Sequence, residues 1–254
     1  MLDDEKPDAI VAITPLDLTL PMGREFLAYG LPVLLEKPPG RTVPEARELA
    51  AAAETTGTPH MISFNRRFGP AVLAARRWLA DEAGSLPDQV IARMLRVSRL
   101  EPTFIMGTGI HLVDTVLSFL GDARRVSSLR HHTHAGGQCA SAQVEGAHGN
   151  ATLVIAPDCG TMAETYELIG DEYTIYIDVV SSQCIVVRAG DVVLHERFDH
   201  EPAFVANGTY AETAAFLEAV ETGRGYSPTL QQGLASMLLA DAVDRGVSGA
   251  VGNG

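Results

Sequence analysis

The stretch Val33–Gly40 reads VLLEKPPG: an apolar run that ends in a carboxylate, an ammonium and two prolines. Of the chain's 19 basic side chains, only Lys6 and Lys37 are lysines. A desolvated lysine can shed its proton at accessible pH, whereas a guanidinium does not. Lys37 is thus a candidate for chemistry directed at a ligand oxygen. Pro38 and Pro39 stiffen the exit and remove two backbone donors from it. The same Glu36-Lys37 pair also suits a solvated ion pair at a strand end, so the elements that place it carry the decision.

The first third alternates short apolar runs with helical stretches. Strands are expected at about residues 9–14, 32–37 and 60–66, and helices at about 18–29 and 43–56. That rhythm is βαβαβ, hence a parallel sheet covered by helices. Thr42-Val43-Pro44-Glu45 forms a capping box with proline in the first turn of the second helix. In such a sheet all strands point one way and ligands bind beyond their carboxyl ends. The exits carry Thr14-Pro15, Glu36-Lys37-Pro38 and Asn65-Arg66-Arg67, so hydroxyl, carboxylate, ammonium, amide and guanidinium groups converge on one edge.

A third helix at about 70–81 leads to the turn-rich AGSLPD (83–88), where the pattern changes. The domain boundary is expected there, giving domains 1–86 and 87–254. Beyond it come a strand at about 89–98, a helix at about 109–120, and period-two segments at about 124–134, 138–145, 149–156, 162–169, 172–179, 184–188 and 192–198. Hairpin turns at Gly170-Asp171 and Gly190-Asp191 make neighbouring strands antiparallel. Two helices, about 209–221 and 229–244, close the chain, and GAVGNG reads as a frayed tail. The fold class is therefore α/β plus α+β: a Rossmann-like parallel sheet, then a domain with an open, mostly antiparallel sheet and flanking helices.

A hydrophobic fraction of 46% with 20% charged residues is that of a globular protein. The formal charge of −13 disfavours nucleic acid and anionic membranes as partners. Cys139, Cys159 and Cys184 are odd in number and widely spaced, which disfavours a disulfide framework and suits a reducing cytoplasm. No signal peptide or membrane-length apolar run is visible. His131, His132, His134 and Cys139 read as a solvated strand edge, since 131 and 132 point to opposite faces, and no metal is expected. Gly107 and Gly109 in MGTGIH read as a helix start, because a lone glycine pair is weak support for phosphate binding.

AIVAITP, FLAYGLPVLLEKPPG, ISFNRRFGP and GIHLVD with FLGD together resemble the Gfo/Idh/MocA oxidoreductases, from about residue 8 to the last helix. The resemblance implies a cytoplasmic enzyme that moves a hydride between NAD or NADP and a carbinol or keto carbon of a sugar-like or cyclitol substrate. It implies a homo-oligomer joined through the open sheet. Lys37 and His111 take the catalytic positions, sharing the hydroxyl proton. Thr14, Pro15, Glu36, Lys37, Pro38 and Arg66 take the cofactor positions. The pattern departs from the family in two places. The Gly-rich pyrophosphate fingerprint is absent, and the chain is expected to lack two βαβ units, on the order of 60 residues. The aspartate often found four residues before the histidine is replaced by Gly107, with Asp114 three residues after it. The alternative is a truncated, non-catalytic relative that binds a polyol or scaffolds an oligomer.

Overall fold

A computed structural model describes residues 2–133 and 136–252. They form two compact units, residues 1–64 with 212–237, and residues 65–211 with 238–254.

The first unit opens with a short helix, α1 (Leu2–Glu5), then β1 (Ile10–Ala12), α2 (Thr19–Tyr29), β2 (Val33–Leu35), α3 (Val43–Thr56) and β3 (His60–Ile62). The strands pair in the order β1-β2-β3, all parallel, with Ile10 beside Val33 and Val33 beside His60. Each ladder is shorter than the apolar run that contains it. Prolines precede β2 and β3, and there only the carbonyls of Pro32 and Pro59 contribute, accepting from Ile10 and Val33. β2 is buried on both faces, as a central parallel strand must be. The Thr42 hydroxyl caps α3 by accepting from the Glu45 amide, and Glu45 reaches back to the Arg41 amide at 2.8 Å.

The second unit begins with α4 (Pro70–Trp78), prolonged by a π-helical turn over Leu79–Ala83. Next come β4 (Gln89–Leu95), a π-helical turn over Ile105–Gly109, and α5 (Ile110–Leu120). Seven strands follow: β5 (Arg125–His132), β6 (Gln138–Glu145), β7 (Asn150–Ala156), β8 (Ala163–Gly170), β9 (Tyr173–Asp178), β10 (Gln183–Arg188) and β11 (Asp191–Arg197). After them in the chain stand α6 (Ala203–Ala206), α7 (Thr209–Thr222), α8 (Leu230–Arg245) and β12 (Ser248–Ala250), with residues 212–237 of α7 and α8 belonging to the first unit.

The nine strands β4 to β12 run in the order β11-β10-β9-β8-β4-β7-β6-β5-β12. Every pair is antiparallel except β4 with β7, so β4 joins two antiparallel meanders. Alternation makes one face the core: Val90, Ala92 and Met94 of β4 line up with Ala151, Leu153 and Ile155 of β7 and are all buried. α5 packs on β4 and β7, and α4 on β9, β10 and β11. The Trp78 ring meets Tyr173 edge-on, centroids 5.1 Å apart. The opposite face carries Ile91, Thr152, Glu167, Tyr176 and Ile185, none of them buried.

Four points differ from the sequence reading. The first compact unit stops at Phe64 rather than near residue 86, because α4 packs on β9–β11, and it takes in residues 212–237. In that returning segment Pro228 accepts from the Ile62 amide, and Gln231 donates to Ala50 and Glu54. The stretch read as a frayed tail holds β12, which pairs with β5 and covers part of that strand's open edge. The β8–β9 turn falls on Asp171-Glu172, one residue later than expected, and the β10–β11 turn on Ala189-Gly190, one residue earlier, with Asp191 already in the ladder opposite Arg188. Gly170 stays in the ladder opposite Tyr173, whose ring occupies the space where a Cβ would stand, 2.3 Å away.

Candidate active site

β2 delivers Glu36, Lys37 and Pro38 to the carboxyl edge of the parallel sheet. The loop beyond is fixed by Gly40: a Cβ there would lie 2.8 Å from the Glu45 Cβ and 2.9 Å from the Ala46 amide. Only glycine lets the PPG segment lie against the first turn of α3. The Lys37–Pro38 peptide is cis, and Pro38, Pro39 and Gly40 are buried while Glu36 and Lys37 are half-buried. Burial raises the Glu36 pKa, and the Lys37 charge and a backbone hydrogen bond from Lys37 oppose that rise. The pair is thus a partly desolvated charge pair, unlike a solvated ion pair. Thr14, half-buried, and Pro15, exposed, follow β1 in the same unit.

β3 leads to Ser63, whose amide donates to the Leu35 carbonyl at the end of β2. The Ser63 hydroxyl donates to Glu212 Oε2 at 2.7 Å. Glu212, only 2% exposed, is a buried carboxylate of the first unit that sequence reasoning missed. A signal existed, because Glu212, Phe216 and Ala219 recur at helical spacing on the buried stripe of α7.

His111 stands in the second unit, in the first turn of α5, nearly buried at 9% exposure. Its carbonyl accepts from the Thr115 hydroxyl at 2.9 Å. Gly109 brings the preceding π-helical turn against β7, where a Cβ would meet Ile155 at 3.3 Å. A Cβ at Gly107 would meet nothing within 4 Å. π-helical turns inside helices often mark functional positions.

Asp114, wholly buried, accepts two hydrogen bonds from Arg67, from Nε and Nη2, each 2.7 Å long. Arg66, on the same 3₁₀ turn (Asn65–Phe68), donates from Nε to Glu164 Oε1 at 2.9 Å. Buried Glu164 also accepts from Arg96 Nη2 and, at 3.2 Å, from the Tyr166 hydroxyl. Burial and the neighbouring Glu164 charge push the Tyr166 pKa well up, although Arg66 and Thr115 oppose it. A full ion network thus braces the base of α5 and the turn after β3. Sequence reasoning saw Arg66 only as a cofactor contact and missed Glu164, whose partners lie far off in the chain.

The structure therefore groups Thr14, Pro15, Glu36, Lys37 and Pro38 in one unit, and Arg66 and His111 in the other. His131 faces Cys139 across the β5–β6 ladder, and His134 lies outside the described residues. Among the described residues no three His, Cys, Asp or Glu gather as a metal site would require. No helix among them is long and apolar enough to cross a membrane.

Residues 1–64 match the model of an oxidoreductase family with an NAD-binding Rossmann fold. The chain is 23% identical to inositol 2-dehydrogenase of Rhizobium meliloti (strain 1021), over 95% of its own length and 78% of that protein. It is 29% identical to D-apiose dehydrogenase of Paraburkholderia graminis, over 39% of this chain and 29% of that one. The fold superposes on levoglucosan dehydrogenase, solved with NADH and levoglucosan, with a TM-score of 0.85. That match has 17% identity and covers 99% of this chain and 82% of the other.

Proposed function

We propose that the chain, whose residues 1–64 match the Gfo/Idh/MocA model of NAD-binding oxidoreductases with a Rossmann fold, moves a hydride between a nicotinamide dinucleotide and a carbinol or keto carbon of a sugar-like or cyclitol substrate. The observation that carries this reading is the half-buried Glu36-Lys37 pair. It stands at the exit of β2, which has parallel neighbours on both sides, within the residues that the family model matches. The relatives act on inositol and apiose, by their names, so the substrate class is a small polyhydroxylated molecule.

The first unit's donor set suits the nicotinamide end of such a cofactor. The Glu36 carboxylate accepts from ribose hydroxyls, and the Thr14 hydroxyl and the Pro15 and Pro38 rings border it; the family resemblance also assigns Arg66, of the second unit, to the cofactor. Bound NAD(P) supplies the hydride acceptor or donor. Lys37 directs its ammonium at the substrate oxygen, and His111 takes or returns the hydroxyl proton. The half-exposed sheet face with Ile91, Tyr176 and Ile185 joins copies of the chain.

The second reading is a non-catalytic polyol-binding or scaffolding relative. Incubating the full chain with NAD⁺ or NADP⁺ and a panel of cyclitols and aldoses, with absorbance of the reduced nicotinamide followed, separates the two. Turnover that is lost in Lys37→Arg and His111→Ala supports the enzyme. Polyol binding without turnover on any cofactor favours the second reading.

A further inference from the structure

Where α4 runs into its π-helical turn, the second unit holds a cavity of about 390 Å³ lined by Arg76, Leu79, Ala80, Gly84, Ser85, Leu86, Ser118 and Phe119. Its chemistry is uneven. Three large apolar side chains share the wall with one guanidinium and two hydroxyls.

Arg76 is the anomaly. Its Nη2 donates to the Ser118 hydroxyl at 2.6 Å and the Ser118 carbonyl at 3.3 Å, and its guanidinium lies 4.7 Å from the centre of the Phe119 ring. Both are neutral partners, and among the described residues no carboxylate comes within ion-pair reach of it. Its neighbours Arg66, Arg67, Arg77 and Arg96 each hold one. Burial, reinforced by the Arg67 charge, lowers the Arg76 pKa to about 10, with only Asp114 opposing. A cation taken from water without an anion is costly. Capping the end of α5 through Ser118 uses one nitrogen and leaves the rest of the fork toward the cavity.

A second observation lies on the same wall. The Ser85 hydroxyl is buried and has no hydrogen-bond partner. Gly84 beside it takes φ +72°, and a Cβ there would meet nothing within 4 Å, so the lip of the cavity is open. Leu86, 52% exposed, completes an apolar rim beside the cation.

From this arrangement we propose that the cavity binds a small monocarboxylate with a short apolar tail, the carboxylate held by Arg76 and the Ser85 hydroxyl and the tail laid against Leu79, Leu86 and Phe119. Arg76 gains the anion it lacks, in the bidentate geometry that guanidinium favours. Ser118 lies seven residues after His111, on the same stripe of α5, so an occupant touches the helix that carries the histidine. The site is separate from the one proposed for hydride transfer and does not depend on that reading.

Butyrate and inorganic phosphate are the probes, titrated into the ¹⁵N-labelled full chain at pH 7 with amide shifts followed. Butyrate should give saturable shifts centred on Gly84, Leu86, Ser118 and Phe119. Arg76→Gln should weaken it about tenfold or more, as the loss of a charge-assisted hydrogen bond implies. Ser85→Ala should weaken it less, and Arg77→Gln, on the exposed neighbour, should leave it unchanged. If Arg76→Gln fails to fold, Leu86→Glu sets a negative charge at the exposed rim and should abolish binding instead. Shifts that never saturate, or equal affinity in Arg76→Gln or Leu86→Glu, overturn the proposal. Phosphate binding as tightly as butyrate overturns the tail.

Discussion

Arg67 holds Asp114 in a fork of two hydrogen bonds, each 2.7 Å, with the carboxylate wholly out of solvent. The fork ties the turn after β3 to the middle of α5, one helical turn beyond His111. Arg67→Ala removes both of these charge-assisted hydrogen bonds from a buried carboxylate and is expected to cost about 3 kcal/mol or more. Urea unfolding at pH 7 measures it. A loss below about 1 kcal/mol would mean that water reaches Asp114 and that the brace is slack.

For the proposed activity, Lys37→Arg is expected to lower kcat and kcat/KM together by about a hundredfold. Arginine keeps the charge beside Glu36 but neither sheds a proton at neutral pH nor matches a compact ammonium. Steady-state kinetics with the most active polyol decide it, and near-normal kcat would return Glu36-Lys37 to a structural ion pair.

The two glycines before His111 should respond in opposite ways. Gly107→Ala adds a methyl in open space within a helical turn and should stabilise by roughly 0.5–1 kcal/mol. Gly109→Ala presses a methyl toward Ile155 and should destabilise. Thermal melts of both variants, run beside the parent, test the pair.

Alkali should find Cys184. Burial, and secondarily Glu196, push the Cys184 pKa from 9.0 up to about 12. A raised folded pKa means that the folded chain binds more protons than the unfolded one between those values. The contribution is therefore fully present below pH 9 and is lost as pH rises toward 12. Denaturant midpoints at pH 8 and pH 10.5 should fall further apart in the parent than in Cys184→Ala, and equal drops would refute the assignment.

The open sheet face should also report itself. Tyr176 is 44% exposed beside Ile185 of the next strand. Tyr176→Arg places a charge in the proposed contact between copies, and multi-angle light scattering should show a smaller assembly than the parent. A parent that is monomeric at tens of micromolar removes the contact altogether.

Local signals carried the first unit's strands and their exits. Apolar runs bounded by Gly30, Pro32, Gly57 and Pro59 set β2 and β3, and the order of βαβ units put Lys37 on the carboxyl edge of the sheet. The β8–β9 turn was misplaced by one residue because Gly170 looks like a turn glycine. Its actual partner is the Tyr173 ring, which no propensity encodes. The role proposed for His111 rests only on the resemblance to a family. Arg67–Asp114, Arg66–Glu164 and Ser63–Glu212 were not legible, since each joins side chains separated by 47, 98 and 149 residues. Alternation places a residue on a face but cannot name the partner across it.

The central place of β4 sets the timing of the second unit's assembly. Its ladder partners Asn150 and Ile169 emerge some sixty and eighty residues after Gln89, while the hairpins on either side close locally. Each meander can zip up early by itself, yet neither has a neighbour across the middle until β4 docks, so the seam carries a loop-closure cost that the hairpins do not. A permuted chain opened between β7 and β8 would leave both meanders intact and put that slow step on display.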